Sequence, residues 1–244
     1  MNSDITLEAE GLKFPAYLSS PEGTNLPAIL LIHEVWGLSP QIKSVADRLS
    51  AQGFVVLAPD LITHTGITEK INPELLKQAM DPATRDEAQK KIRAAWAPLN
   101  MPEFGKETVG RTRHCFDHLA NLPNVDPGRI SVIGFCFGGT YTFSLAVNEP
   151  KLHSAVAFYG HAPESEEELA KIKCSVLAFY GEKDENLIKD LPKLVERMDK
   201  LEKDFESVVY PNCGHAFFND SNPNTYNKQA AEDAWIKLLD FLGK

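Results

Sequence analysis

Cysteine is scarce in this chain: four in 244 residues. No two of them form a Cys-x-x-Cys pair, which argues against a disulfide scaffold and a zinc site. Long apolar runs are missing too. "AILLI" from Ala28 is far shorter than the roughly 20 residues a bilayer span needs. There is no dense basic stretch, and the net charge is −9. That argues against nucleic acid or an anionic membrane as a partner. The start, "MNSDITLEAE", has neither a basic opening nor an apolar core, so no signal peptide is read there. These absences point to a cytoplasmic protein with reduced thiols. Gly-x-Gly-x-x-Gly after the first strand and the phosphate-cradling P-loop are both lacking, so no cofactor is expected. There are no internal repeats and no low-complexity linker. A length of 244 residues then fits a single domain over 1–244.

What is present is a series of short apolar runs, at 28–32, 54–58, 130–133, 154–160 and 176–180. They read as buried strands, most followed by a helical pattern. Ser39 can cap a helix to about Ala51, ended near Gly53. Further helices are expected over 106–121, 187–203 and 224–242. This alternation implies an α/β fold, a mostly parallel central sheet with helices on both faces. "ITLEAEGLKFPAYLSS" alternates and turns at Glu10–Gly11, and reads as an antiparallel hairpin added to that sheet. Residues 61–105 are the least regular, with Pro73, Pro82, Pro98 and Pro102 breaking short helices, and read as a cap-like insertion. The charge run "ESEEELAKIKC" reads as a solvated face.

The strand at 130–133 runs directly into "GFCFGG". A sharp strand-to-helix turn crowds the positions two before and two after its apex, and Gly134 and Gly138 relieve that crowding. Gly139 would let the helix approach the sheet. Cys136 at the apex would project from the sheet edge where ligands bind in such folds, at a helix N-terminus that favours a thiolate. The N–H of Phe137 is free to bind an oxyanion. The alternative is a buried cysteine among glycines that merely pack.

Two signals follow. "GEKDENL" places Asp184 in a loop after a strand, with Glu182 and Glu185 as competing acids, and "CGHAFF" places His215 in a Gly-containing loop after another strand. The order nucleophile, acid, histidine is that of the α/β-hydrolases. Glu34 follows the first strand at the same edge. A carboxylate there would oppose a thiolate by like-charge repulsion, which suits a gate, though it could equally serve the loop backbone. Trp36 either walls the pocket or packs as core. "HEVWG" resembles His-Glu-x-x-His but lacks the second histidine, and His114 and His118 have no third partner, so no metal is expected. Cys115 and Cys174 read as packing. Cys213, two residues before His215, has no assigned role.

"HEVWGL" (33–38), "VLAPDL" (56–61), "GFCFGG" (134–139), "GEKD" (181–184) and "CGHAFF" (213–218) together resemble the dienelactone hydrolase family of α/β-hydrolases, from about Phe14 to the C-terminus. The resemblance implies an α/β-hydrolase fold and a Cys136–Asp184–His215 triad working through a thioester. It implies an oxyanion hole of the Val35 and Phe137 N–H groups, and a Glu34 that meets the resting thiol and is displaced by substrate. Family members acting on dienelactone are expected to grip its carboxylate with two arginines. Here His64 stands at the position after "PDL" and Asn219 four residues after the histidine, so that fork is missing. Arg85 or Lys70, from the irregular segment, would be the substitutes. Tyr159 could supply a hydroxyl to the pocket. The expected function is a cysteine-dependent hydrolase of a small ester or lactone, acting as a monomer or small homo-oligomer. The competing reading is a non-catalytic binding or redox-sensing protein on the same fold.

Overall fold

The computed structural model describes residues 2–71, 73–81 and 84–243; Pro82 lies outside them. Among the described residues the strands are β1 (Asn2–Ala9), β2 (Leu12–Ser19), β3 (Leu26–Ile32), β4 (Val55–Pro59), β5 (Val125–Phe135), β6 (Ser154–Phe158), β7 (Ser175–Gly181) and β8 (Phe205–Tyr210). They form one sheet in the order β1-β2-β4-β3-β5-β6-β7-β8. β1–β2 and β2–β4 are antiparallel, and the pairs from β4 through β8 are parallel. The hairpin turns at Glu10 and Gly11, both at positive φ (53° and 69°), as a two-residue turn of the right hand requires. β3, β4 and β6 are buried along nearly their whole length, as expected of strands covered on both faces.

The helices are α1 (Pro40–Ser50), α2 (Ile67–Lys70), α3 (Pro73–Met80), α4 (Arg85–Trp96), α5 (Pro102–Ala120), α6 (Phe137–Asn148), α7 (Glu166–Lys171), α8 (Glu185–Lys200) and α9 (Lys228–Leu242). Ser39 caps α1, its side chain accepting from the Ile42 N–H. α9 starts four residues later than its expected opening, because Asn227 caps it by accepting from the Ala230 N–H. Residues 61–105 are more regular than the sequence suggests. α3 begins at Pro73 and α5 at Pro102, so these prolines open helices rather than break them. "ESEEELAKIKC" contains α7, with three glutamates exposed in its first turn and only Leu169 fully buried. One hydrophobic cluster extends from Leu7 to Leu242. No helix among the described residues is long and apolar enough to cross a membrane.

The chain moves from β3 out to β4 and back across to β5 on the other side of β3. Strand order reverses there, and the carboxyl ends of β3 and β5 flank the crevice where such sheets bind ligands. Glu34 follows β3 and Cys136 follows β5.

Candidate active site

Cys136 sits between β5 and α6 at φ 55° and ψ −110°, a conformation that a residue with a side chain adopts only under constraint. The constraint is visible in the glycines. A Cβ on Gly134 would lie 2.0 Å from the Gly138 carbonyl oxygen, and one on Gly138 would lie 2.2 Å from the Ile32 oxygen. On Gly139 it would lie 2.5 Å from the Phe158 oxygen. The turn is therefore pressed against β3 and β6. Two backbone bonds hold it: Gly138 N–H to the His33 carbonyl (3.1 Å) and Cys136 N–H to the Phe158 carbonyl (3.0 Å).

His215 lies over this turn. Its Nδ1 is 2.5 Å from Asp184 Oδ2, and it lines the same cavity as Cys136, near enough for the cysteine to act on its pKa. Burial pulls the imidazole pKa down. The bonds to Asp184 and Cys136 and their charges outweigh this and raise it to about 10. Of the three acids near this loop, Glu182 instead accepts from the Asn212 N–H (2.8 Å), and Glu185 opens α8.

Glu34 is 5% exposed. Its Oε1 accepts from the Tyr159 hydroxyl (3.1 Å) and its Oε2 from Asn219 Nδ2 (2.6 Å). Burial raises this carboxyl's pKa, while the two donors and the charge of His215 lower it. The hydrogen bonds of this carboxyl go to Tyr159 and Asn219, and among the described residues none joins it to the Cys136 thiol. The amide of Asn219 is oriented by its own oxygen, which accepts from Ser221 N–H (3.0 Å) and Oγ (2.6 Å). Tyr159 stays protonated, its pKa pushed well above 10 by burial and then by the charges of Glu34 and Cys136.

His33 had no role in the sequence reading, yet it fixes the loop that carries Glu34 and Val35. Burial lowers its pKa and keeps it neutral. Nε2 accepts from the Leu61 N–H (2.9 Å), which leaves Nδ1 to donate to the Glu34 carbonyl (2.5 Å). Its ring also stacks on Phe137 at 5.6 Å, tying the β3 turn to the elbow. The N–H groups of Val35 and Phe137 donate to no backbone or side-chain acceptor among the described residues, and both residues line the cavity over Cys136.

That cavity has a volume of about 810 Å³. Trp36, 41% exposed, lines it, which excludes a core role. Tyr159 lines it as well; Asn219 does not, lying behind Glu34. His64 is a correction: it is exposed, stacks on Phe104 at 6.3 Å and does not reach the cavity. Asp60 accepts from the N–H groups of Ile62 and Thr63 and from the Thr63 hydroxyl, and this tight turn aims His64 outward. Arg85 and Lys70 are not in the wall either. Trp96 and Leu99 are, and they come from the segment read as irregular. Thr140 and Tyr141 complete the α6 side, and His161 follows β6. Thr140 and Tyr141 were findable as the positions one helical turn beyond Cys136 and Phe137; Trp96 and His161 carried no local signal. Cys213 is buried away from the cavity, its carbonyl accepting from the Lys183 N–H. Among the described residues no cluster could hold a metal ion.

Residues 14–244 match the sequence profile of the dienelactone hydrolase family. A protein of Saccharolobus solfataricus named as a candidate carboxymethylenebutenolidase is 33% identical over 261 aligned positions, which cover 99% of this chain and 98% of that one. Among solved structures, a candidate dienelactone hydrolase from Klebsiella pneumoniae superposes with a TM-score of 0.82 at 23% identity, covering 100% of this chain and 98% of the other. A dienelactone hydrolase-like promiscuous phosphotriesterase from metagenomic libraries gives 0.76 at 19% identity, covering 100% and 97%.

Proposed function

The chain belongs to the dienelactone hydrolase family and is a hydrolase of carboxylic esters, and we propose from this that it cleaves a small ester or lactone through Cys136, His215 and Asp184. The single observation that carries this reading is that His215, bonded to Asp184, lines one cavity with Cys136 on its strained turn.

In this mechanism the Cys136 proton resides on His215, and the thiolate attacks the ester carbonyl carbon. Negative charge builds on the carbonyl oxygen, where the Val35 and Phe137 N–H groups would receive it. The C–O bond then breaks, and the alcohol or enol leaves with the proton from His215. Water attacks the resulting thioester, giving a proton to His215, and the C–S bond breaks to release the acid and restore the thiolate–imidazolium pair. Asp184 holds the His215 tautomer and stabilises its charged form. That Trp96 and Leu99 line the cavity supports a cap role for the described part of 61–105.

The test is a cysteine series. Cys136→Ala should lower kcat by several orders of magnitude, the scale of loss for a triad nucleophile. Cys115→Ala, Cys174→Ala and Cys213→Ala should keep most of the activity. Turnover by purified Cys136→Ala comparable to wild type would overturn the mechanism and favour a binding protein on this fold.

A further inference from the structure

The cavity over Cys136 is lined by apolar and aromatic side chains, Trp96, Leu99, Val109, Phe137 and Tyr141, interspersed with neutral hydrogen-bonding ones, Thr140, Ser144, Asn222 and Thr225. Among the described residues no lysine or arginine lines it, and its acid is the buried Glu34. Arg111 on α5, two residues after Val109 of this wall, is 3% exposed and turned into the protein, with Nη2 on Glu107 at 2.7 Å. Trp36 and Trp96 stay 41% and 37% exposed at the cavity, apolar surface that a ligand would cover.

An anionic ligand entering here would lose its hydration, meet no lysine or arginine, find the charge of His215 already taken up by Asp184, and approach a carboxylate. A neutral ligand with an aryl or branched alkyl body would instead cover the two indoles and the apolar wall. Lysine and arginine do line other grooves of this chain; the groove between α7 and α8 is lined by Lys193, Arg197 and Lys200. Among the described residues neither lines the cavity over Cys136.

We propose that this cavity selects uncharged esters and lactones with an aryl or bulky alkyl group. The apolar body seats against Trp96, Leu99 and Val109, and neutral polar substituents face Thr140, Asn222 and Thr225. The hydrolytic reading above is its premise, and it adds the substrate class. It also sets this chain apart from a site built to grip a substrate carboxylate.

The experiment compares 4-acetoxybenzoate with its methyl ester, which share the acetyl group and the phenolic leaving framework and differ in one charge. Wild-type kcat/KM should favour the methyl ester by roughly tenfold or more, the least that an unpaired buried carboxylate should cost. Trp96→Ala should raise KM for the methyl ester several-fold with little change in kcat, and should leave the small ester vinyl acetate nearly unaffected. Val109→Arg should move the preference toward the carboxylate by roughly tenfold. Equal or better cleavage of the carboxylate by wild type would overturn the inference, leave the hydrolytic mechanism standing and turn attention to Arg111. A second readout separates the two claims: binding of both compounds to Cys136→Ala, followed by the fluorescence of Trp36 and Trp96. Tighter binding of the methyl ester, with no cleavage of either compound by wild type, would uphold the cavity's selectivity and remove the hydrolytic reading. No preference in binding and none in turnover would remove the inference.

Discussion

Glu34 is the residue whose surroundings say most about how the thiol is controlled. A carboxylate near a nucleophilic thiol disfavours the thiolate by like-charge repulsion, which hydrogen-bond donors to the carboxylate weaken but do not remove. Here the Tyr159 hydroxyl and the Asn219 amide hold it, and Asn219 is itself locked by Ser221. The position that the family resemblance would fill with a substrate-binding arginine has thus become an anchor for Glu34. The sequence showed that Asn219 cannot grip a carboxylate as arginine does, but not what it grips instead, because residues 34 and 219 meet only in the fold. Glu34→Gln should make Cys136 react with iodoacetamide at neutral pH roughly threefold faster or more, since a nearby negative charge is removed while the neighbours keep a hydrogen-bonding side chain. Mass mapping of the alkylated cysteine, timed against wild type, checks this. An unchanged or slower rate would mean that Glu34 only supports the loop.

At the scale of elements, the β5–α6 turn was readable because steric exclusion leaves a local mark. Gly134, Gly138 and Gly139 stand where any Cβ would strike backbone. Gly138→Ala should destabilise the protein by about 2–3 kcal/mol, because the atoms in the way are the Ile32 and His33 carbonyls and backbone cannot swing aside. It should also cost activity even where the protein is folded, since the same shift moves the Phe137 N–H. Urea midpoints together with kcat under folding conditions test both parts; wild-type stability would show that the turn is less constrained than its geometry indicates. Strands were legible for a related reason: β3, β4 and β6 are buried throughout and need continuous apolar runs. β5 is longer than its apolar stretch, starting at Val125, because its first part is polar and half exposed. Pro73 and Pro102 were expected to break helices and instead open them, since at the first turn of a helix proline's missing N–H costs nothing.

For the whole molecule, the sheet order brings loops from distant parts of the chain to one edge. Asp184 and His215 are 31 residues apart and Glu34 and Asn219 are 185 apart, yet each pair is in hydrogen-bond contact. Chain order alone identified the first pair, since acid and histidine follow the nucleophile in a known sequence. It misplaced His64, since the direction of an exposed side chain depends on a turn organised by Asp60. Trp96 and His161 became neighbours of Cys136 only through packing. The His215–Asp184 pair also links the site to global stability. The folded pKa of His215, about 10, lies above its usual 6.5. Its contribution is therefore fully present below about pH 6.5 and lost as pH rises through about 10. The Tm difference between wild type and Asp184→Asn should accordingly be largest near pH 6 and shrink toward pH 10. A gap that stays constant or widens with pH would contradict the assigned shift.

The most direct test of the central claim is the mass of the intact protein during turnover. Wild type quenched in acid a few milliseconds after mixing with an activated acetate ester should gain 42 Da, the mass of one acetyl group replacing hydrogen, and peptide mapping should place it on Cys136. Cys136→Ala should gain none. Acetyl found on another residue, or steady turnover by wild type with no adduct in either the quenched sample or a slowed His215→Ala variant, would contradict a thioester on Cys136.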